Sequence, residues 1–330
     1  MVVVTGACGH IGNNLVRSLI ALGEKVRALI LPGEDTMPLD GLAVEKFPGD
    51  ICDRESLERA FDGADSVFHL AGMVSIIPGK KDLLYNVNVN GTKNVVEACL
   101  SRDVKRLVYT SSVHALPDLP KGRRIDESLG FLPSDALGSY GKTKAAATLE
   151  VLKGVANGLD AVIVCPSGVM GPFDYRPSKM GQCLLDFIGG KFKVALDGGY
   201  DFVDVRDVAQ GQIAAWKKGR SGEAYLLTGE KITVKGILDL AASSEGISPP
   251  RFSIPYFLCR IGAFFMTLFA GKQREPLLTT ESLSILRSNY DFNGDKARIE
   301  LGYKPRGLHE TIADAISWFH ERGMIKPAKA

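Results

Sequence analysis

The chain has 330 residues, 45% of them hydrophobic and 24% charged, with a formal net charge of +2. That length supports one large core or two fused ones, in an ordinary globular composition. So small a charge, with no interleaving of aromatic and basic residues, argues against nucleic acid as a partner. The six cysteines (Cys8, Cys52, Cys99, Cys165, Cys183, Cys259) and five histidines lack ligand spacing, which points to reduced thiols in a cytoplasmic protein and to no metal site.

Residues 2–4 form a short β-branched run with no basic region before it and no cleavage signature, so they read as a strand and not as a signal peptide. Thr5-Gly6-Ala-Cys8-Gly9-His10-Ile11-Gly12 follows, and residues 13–22 have a helical pattern. Glycines spaced by three between a first strand and a helix allow a tight turn and close approach to a pyrophosphate. The helix amino terminus then supplies backbone donors, and the stretch predicts a dinucleotide site.

Residues 25–31 and 43–47 read as the second and third strands. An acid after the second strand would bind the ribose of NAD, and an arginine there would favour the phosphate of NADP. Neither stands in place: the strand ends in Leu31, Glu34 and Asp35 come late, and Arg27 alternates onto a sheet face. NAD and NADP both remain open.

Asp50 precedes Ile51 and can accept from an adenine amino group or serve only as a turn residue. Residues 53–61 read as a helix capped by Asp53. The fourth strand, 66–70, breaks at Ala71-Gly72, where cofactor backbone can pass. The long helix over 83–100 contains Asn88, suited to organising a water or a backbone kink near the site, or to an ordinary helix face. Residues 106–110 form the fifth strand, which carries hydroxyls to its carboxyl end at Thr110, Ser111 and Ser112. The helix over 139–152 holds Tyr140 and Lys144 one turn apart on one face. A sixth strand covers 159–165. This alternation predicts an α/β fold with a parallel sheet covered on both sides.

Beyond residue 165 the pattern weakens. Pro166-Ser-Gly-Val169-Met-Gly-Pro172 is a breaker-rich loop at the carboxyl edge of the sheet. Helices are predicted at 180–188, 208–216, 234–242 and around 281–287, strands near 202–207 and 223–227, and a last helix at 308–319. The amphipathic stretch 254–270, rich in phenylalanine, is too short and too interrupted to span a membrane. It suits a core or pocket wall, or contact with a membrane surface.

With the glycine motif, Asp50-Ile51, His69-Leu70-Ala71-Gly72, Asn88 to Thr92, Tyr109 to Ser112, Tyr140 to Lys144, the 166–172 loop and Phe202 to Ala209 all in order, the chain resembles the extended short-chain dehydrogenases/reductases over nearly its full length. The resemblance implies a Rossmann-type, doubly wound sheet, with residues 1–165 binding the dinucleotide. Residues 166–330 would form a smaller, interleaved substrate region. It implies that Tyr140 is the catalytic acid/base, that Lys144 holds the nicotinamide ribose and depresses the tyrosine pKa, and that Ser112 hydrogen-bonds the substrate oxygen. The implied cofactor contacts are Gly6, Cys8, Gly9, His10, Ile11, Gly12, Asp50, Ile51, Leu70, Ala71, Gly72, Asn88, Thr110, Ser111, Pro166 and Val169, together with Tyr140 and Lys144. Dimerisation through helices 83–100 and 139–152 follows from the same resemblance.

Sugar-nucleotide members usually place an arginine where this chain has Tyr200, and the apolar second half is more similar to the dihydroflavonol reductase-like and 3β-hydroxysteroid dehydrogenase-like branches. The expected function is NAD(P)-dependent interconversion of a carbonyl and a secondary alcohol on a fairly hydrophobic small molecule. The alternatives are a nucleotide-sugar 4-epimerase or dehydratase, with Arg176, Lys179 and Arg251 as candidate diphosphate ligands, and a non-catalytic NAD(P)-binding regulator.

Overall fold

The computed structural model describes residues 1–74, 81–260 and 280–325. Seven parallel strands form the main sheet, in the spatial order β10-β6-β5-β4-β1-β2-β3. They are β1 (Val2–Thr5), β2 (Val26–Ile30), β3 (Val44–Pro48), β4 (Ser66–His69), β5 (Arg106–Thr110), β6 (Ala161–Pro166) and β10 (Ala224–Leu227). The chain order reverses direction between β1 and β4, so a crevice opens outside their carboxyl ends, where ligands of doubly wound folds sit.

Both faces of the sheet are covered, which is why its inner strands are apolar without a break. Side chains alternate across it. Val2 and Val4 pack with Leu15, Val16 and Leu19 of α1 (His10–Ala21) and with Val208 and Ile213 of α7 (Val205–Lys218). Val3 points the other way, into a second cluster with Leu57 of α2 (Arg54–Ala60), Val95 and Val96 of α4 (Gly91–Ser101) and Val151 of α5 (Gly138–Ala156). Asp53 caps α2 by accepting from the Glu55 amide, as its position predicts.

The long helix expected over 83–100 is a rod with a defect: α3 (Lys81–Tyr85), one π-helical turn at Asn86–Asn90, then α4. A π-turn adds a residue to the turn and rotates one side chain off the regular face. Here Asn88 comes to lie buried.

In the second half, β7 (Gly168–Met170), β9 (Gly199–Asp204) and β11 (Glu230–Thr233) form a small sheet, with β9 parallel to β7 and antiparallel to β11. β8 (Ala195–Leu196) and β12 (Ser253–Ile254) form a separate parallel pair. The remaining helices are α6 (Lys179–Ile188), α8 (Val234–Glu245), α9 (Thr280–Ile285) and α10 (Leu308–Glu321). Strand β9 starts before the predicted 202, and α7 starts before the predicted 208 because Asp204 caps it through the Arg206 amide. A π-helical turn at Ala297–Leu301 falls where the sequence suggests irregular chain. Residues 256–260 are helical; the rest of the amphipathic stretch, from 261, lies outside the described residues.

At the outer edge of the main sheet, the Leu226 amide of β10 donates to Glu127 Oε1 at 2.7 Å. The opposite edge, β3, exposes Glu45 and Lys46 and ends in Pro48.

Candidate active site

The glycine turn does more than the sequence suggests. Helix α1 begins at His10, three residues before the apolar periodicity, and its Gly9 cap is extended with no side chain on the first amides. Those donors face the crevice and are available to an anion. A Cβ built at Gly12 would lie 2.0 Å from the Gly6 carbonyl oxygen, so no larger residue permits the helix to start there. The His10 ring turns away to the Pro172 carbonyl oxygen at 3.0 Å, and Asn13 Nδ2 donates to the Phe173 carbonyl at 3.1 Å. The turn is thereby tied to the loop that follows β7. Ile11 packs on the α1 face, and burial pushes the Cys8 thiol up to about 11.

The floor of the crevice is a hydrogen-bonded chain. Thr5 Oγ1 accepts from the amides of Leu70 and Ala71 and meets His69 Nδ1 at 2.8 Å. His69 Nε2 meets Thr92 Oγ1 at 3.0 Å, and Thr92 donates to the Asn88 carbonyl at 2.6 Å. With the threonine protons so assigned, the imidazole carries its proton on Nε2. Burial, with the nearby Lys144 charge second, lowers the His69 pKa to about 3. Asn88 is fully engaged: Oδ1 accepts from the Met73 amide at 2.7 Å, and Nδ2 donates to the Met73 carbonyl and to Thr143 Oγ1, each at 3.0 Å. Thr143 in turn donates to the Tyr140 carbonyl. The asparagine therefore fastens the Gly72–Met73 backbone to α5, an arrangement closer to the kink expectation than to a direct cofactor contact.

Ser112, Tyr140 and Lys144 converge on the same edge. Ser112 Oγ accepts the His114 amide at 3.2 Å, capping a short 3-10 turn at Val113–Ala115, which leaves its O–H free to donate. Burial raises the Tyr140 phenol to about 12, and the Ser112 hydroxyl beside it acts in the opposite direction. The closeness of α5 to this turn depends on Gly141, whose missing Cβ would lie 2.4 Å from the His114 carbonyl oxygen.

The Lys144 ammonium, only 5% exposed, donates to the Thr110 carbonyl at 2.6 Å and stands 4.5 Å above the Tyr109 ring. Desolvation lowers it to about 7. Thr110 and Ser111 also turn inward, to Gln212 Nε2 at 2.7 Å and Thr148 Oγ1 at 2.8 Å.

At the far end of the crevice, Asp50 Oδ1 accepts from the Cys52 amide, and buried Ile51 lies against Gly91. Arg27 is held on the sheet face by Glu45 and the Ala60 carbonyl, as its alternation predicts. Pro166 ends β6, and Val169 is partly buried in β7.

Two residues stand beside the trio, His114, which the sequence does not single out, and Tyr200, which it marks only as the replacement of an arginine. His114 lies edge-on to Tyr140, with ring centroids 6.2 Å apart, and is stacked on Tyr200 at 5.5 Å. Its Nε2 is 3.2 Å from the Tyr200 hydroxyl, and burial lowers its pKa to about 4. The only signal in the sequence was its position two residues after Ser112. Tyr200 is itself 4% exposed and packs on Phe202, Tyr290 and Phe292. Of the candidate diphosphate ligands, Arg176 donates to the Asp35 carbonyl beyond β2, and the Arg251 amide donates to the Lys193 carbonyl.

The residues present fit a dinucleotide. An uncapped helix end faces phosphate, small residues at Ala71 and Gly72 leave passage for its backbone, and a buried ammonium and a phenol stand where a nicotinamide riboside would end. Fold and site together define a Rossmann-type NAD(P)-dependent oxidoreductase. The sequence model of the NAD dependent epimerase/dehydratase family matches residues 2–228, and the chain belongs to that family, in its extended short-chain dehydrogenase/reductase form.

Among its relatives, Sterol demethylase protein B of Methylococcus capsulatus is 39% identical, covering 98% of this chain and 99% of that protein. A putative dihydroflavonol 4-reductase of Synechocystis is 32% identical, over 98% of this chain and 95% of its own. Among solved structures, the crystal structure of gox2253 superposes with a TM-score of 0.86 at 33% identity, covering 99% of each chain. No helix of the described residues is long and apolar enough to cross a membrane.

Proposed function

We propose that this oxidoreductase interconverts a ketone or aldehyde and the matching alcohol on an uncharged, largely apolar small molecule. The observation that carries the reading is the placement of Ser112 beside the Tyr140 phenol, one turn of α5 from the buried Lys144 ammonium, at the mouth of the dinucleotide crevice. When bound, the nicotinamide supplies or takes up a hydride. In reduction Tyr140 gives its proton to the substrate oxygen while the Ser112 hydroxyl donates to the charge growing there; in oxidation Tyr140 removes the hydroxyl proton. Lys144, anchored on the Thr110 carbonyl, holds the ribose and supplies positive charge below the phenol.

The apolar substrate is supported by the neutral wall of His114 and Tyr200, and by the sterol and dihydroflavonol in the relatives' names. A Tyr140→Phe chain is expected to bind reduced cofactor within a few-fold of wild type and to lose about 10²–10⁴-fold in turnover on a panel of cyclic ketones. Retained turnover would remove Tyr140 from proton transfer.

Residues 1–165 serve as the dinucleotide-binding part and 166–330 mainly as the substrate part, with β10 and α7 returning to the nucleotide core. The protein works in the cytoplasm as a homodimer through the two helical segments at 83–100 and 139–152. Leu83 and Tyr85, 48% and 52% exposed, support that interface, and light scattering on the purified chain tests it.

A further inference from the structure

We propose that Tyr109 is a positioning residue for Lys144, its ring face serving as the second partner that keeps the buried ammonium charged and in place at the crevice. The assignment rests on the catalytic reading given above and deepens it.

Consecutive residues of β5 supply both partners. Lys144 Nζ donates to the Thr110 carbonyl at 2.6 Å and stands 4.5 Å from the centre of the Tyr109 ring. Alternation along the strand sends Val108 to one side of the sheet, and Leu107 and Tyr109 to the side that α5 covers. A buried cation normally needs a counter-charge. The titratable groups facing this one are His69 of β4, Tyr109 itself, Cys165 of β6 and, on its own helix, Tyr140. None of them is charged near neutral pH, because burial lowers His69 to about 3, raises Cys165 and Tyr140 to about 12, and pushes the Tyr109 phenol far up. The negative face of an aromatic ring can take the place of the missing anion, and does so most strongly where water is excluded.

The hydroxyl of Tyr109 is not what the site uses. It is buried and makes no hydrogen bond among the described residues. The nearby Thr92 and Thr148 hydroxyls donate elsewhere, to the Asn88 and Lys144 carbonyls. The His69 ring lies against Tyr109 at 5.5 Å and, being neutral, brings no second cation to compete for the face.

The test is an NMR titration of the full-length chain carrying isotope-labelled lysine, with Lys144→Met to assign the signal. It needs neither substrate nor cofactor. Tyr109→Leu is expected to lower the Lys144 midpoint by about one pH unit or more, and Tyr109→Phe, which keeps the face, to leave it in place. Should the leucine variant fail to fold, phenylalanines with increasing ring fluorination at position 109 keep the shape and drain the face. The midpoint is then expected to fall step by step.

Cofactor binding gives a second readout. Above both midpoints, a drop of about one unit leaves about a tenth as much charged lysine. The folded Tyr109→Leu chain is therefore expected to bind NADH and NADPH about tenfold more weakly at about pH 8, and hardly more weakly at about pH 5. The proposal is overturned if Tyr109→Leu, or full fluorination, leaves the Lys144 midpoint at its wild-type value, or if Tyr109→Phe moves it as far as Tyr109→Leu. Equal weakening at both pH values would also overturn it, as the mark of a packing role. A folded wild-type chain that binds neither cofactor would bring down the dinucleotide reading, whereas an unmoved lysine midpoint brings down this assignment alone.

Discussion

Lys144 Nζ lies 2.6 Å from the carbonyl oxygen of Thr110, the last residue of β5, and this contact ties α5 to the sheet edge. A cation in so dry a place is costly to keep charged, and desolvation brings its pKa from 10.5 to about 7. The folded state then holds fewer protons than the unfolded chain between those values, so stability rises with pH across that window. The penalty is whole below about pH 7 and fades as pH climbs toward 10.5.

Lys144→Met is accordingly expected to raise the melting temperature of the cofactor-free protein at pH 6 to 7, and to raise it less near pH 10, while removing turnover. Thermal scans across that range check both signs; a variant less stable than wild type at low pH would refute the account.

Asn88→Leu leaves the Met73 amide and carbonyl and the Thr143 hydroxyl without their partner. The expected loss is about 2–3 kcal/mol in urea unfolding, with a rise in the cofactor Kd larger than that in the substrate KM, because the Gly72–Met73 backbone loosens. Equal changes in both would show a general packing role instead.

The part of the site legible in the sequence is the part that regular structure carries. Most strands of the nucleotide half are apolar runs and most of its helices have a periodic face, so the motif residues Gly12, Ser112, Tyr140 and Lys144 fall on predictable strand ends and helix faces. What was missed depends on contacts between distant segments. The stacking of His114 on Tyr200 joins residues 86 positions apart. The Glu34 carboxylate returns to Leu31 through a turn whose pattern is not periodic. β7 and β11 are three or four residues long, too short for alternation to register, and exist as strands because β9 pairs with both. Helix α1 starts three residues before its apolar periodicity because its first turn is built from motif residues rather than apolar ones.

Gly12→Ala places a methyl group where the Gly6 carbonyl oxygen already stands, 2.0 Å from the ideal Cβ position. Since that neighbour is backbone, the helix start must shift. The expected cost is about 3 kcal/mol or more, with NADH binding lost even in the fraction that remains folded. Calorimetry and titration on the same sample separate the two effects.

Two neutral histidines make the fold sensitive to acid. Burial holds His69 near 3 and His114 near 4, whereas in the unfolded chain each titrates around 6.5. The unfolded state therefore binds more protons as pH falls below 6.5, and stability drops until the folded-state values are passed. His69→Gln should be less stable at neutral pH but show a shallower decline between about pH 6.5 and 4. An unchanged slope, read from urea midpoints, would assign the acid sensitivity to other groups.

The Glu127 carboxylate on the Leu226 amide has a consequence for the protein's behaviour in a crowded solution. An open parallel sheet has two rims, and each is a template on which a stray strand could add itself. One rim has an amide already taken by a side chain of its own polypeptide; the other is charged and closes with a residue that has no amide to offer. Self-association by sheet extension is discouraged at both ends, which leaves helical surfaces as the ground on which copies of this protein can meet.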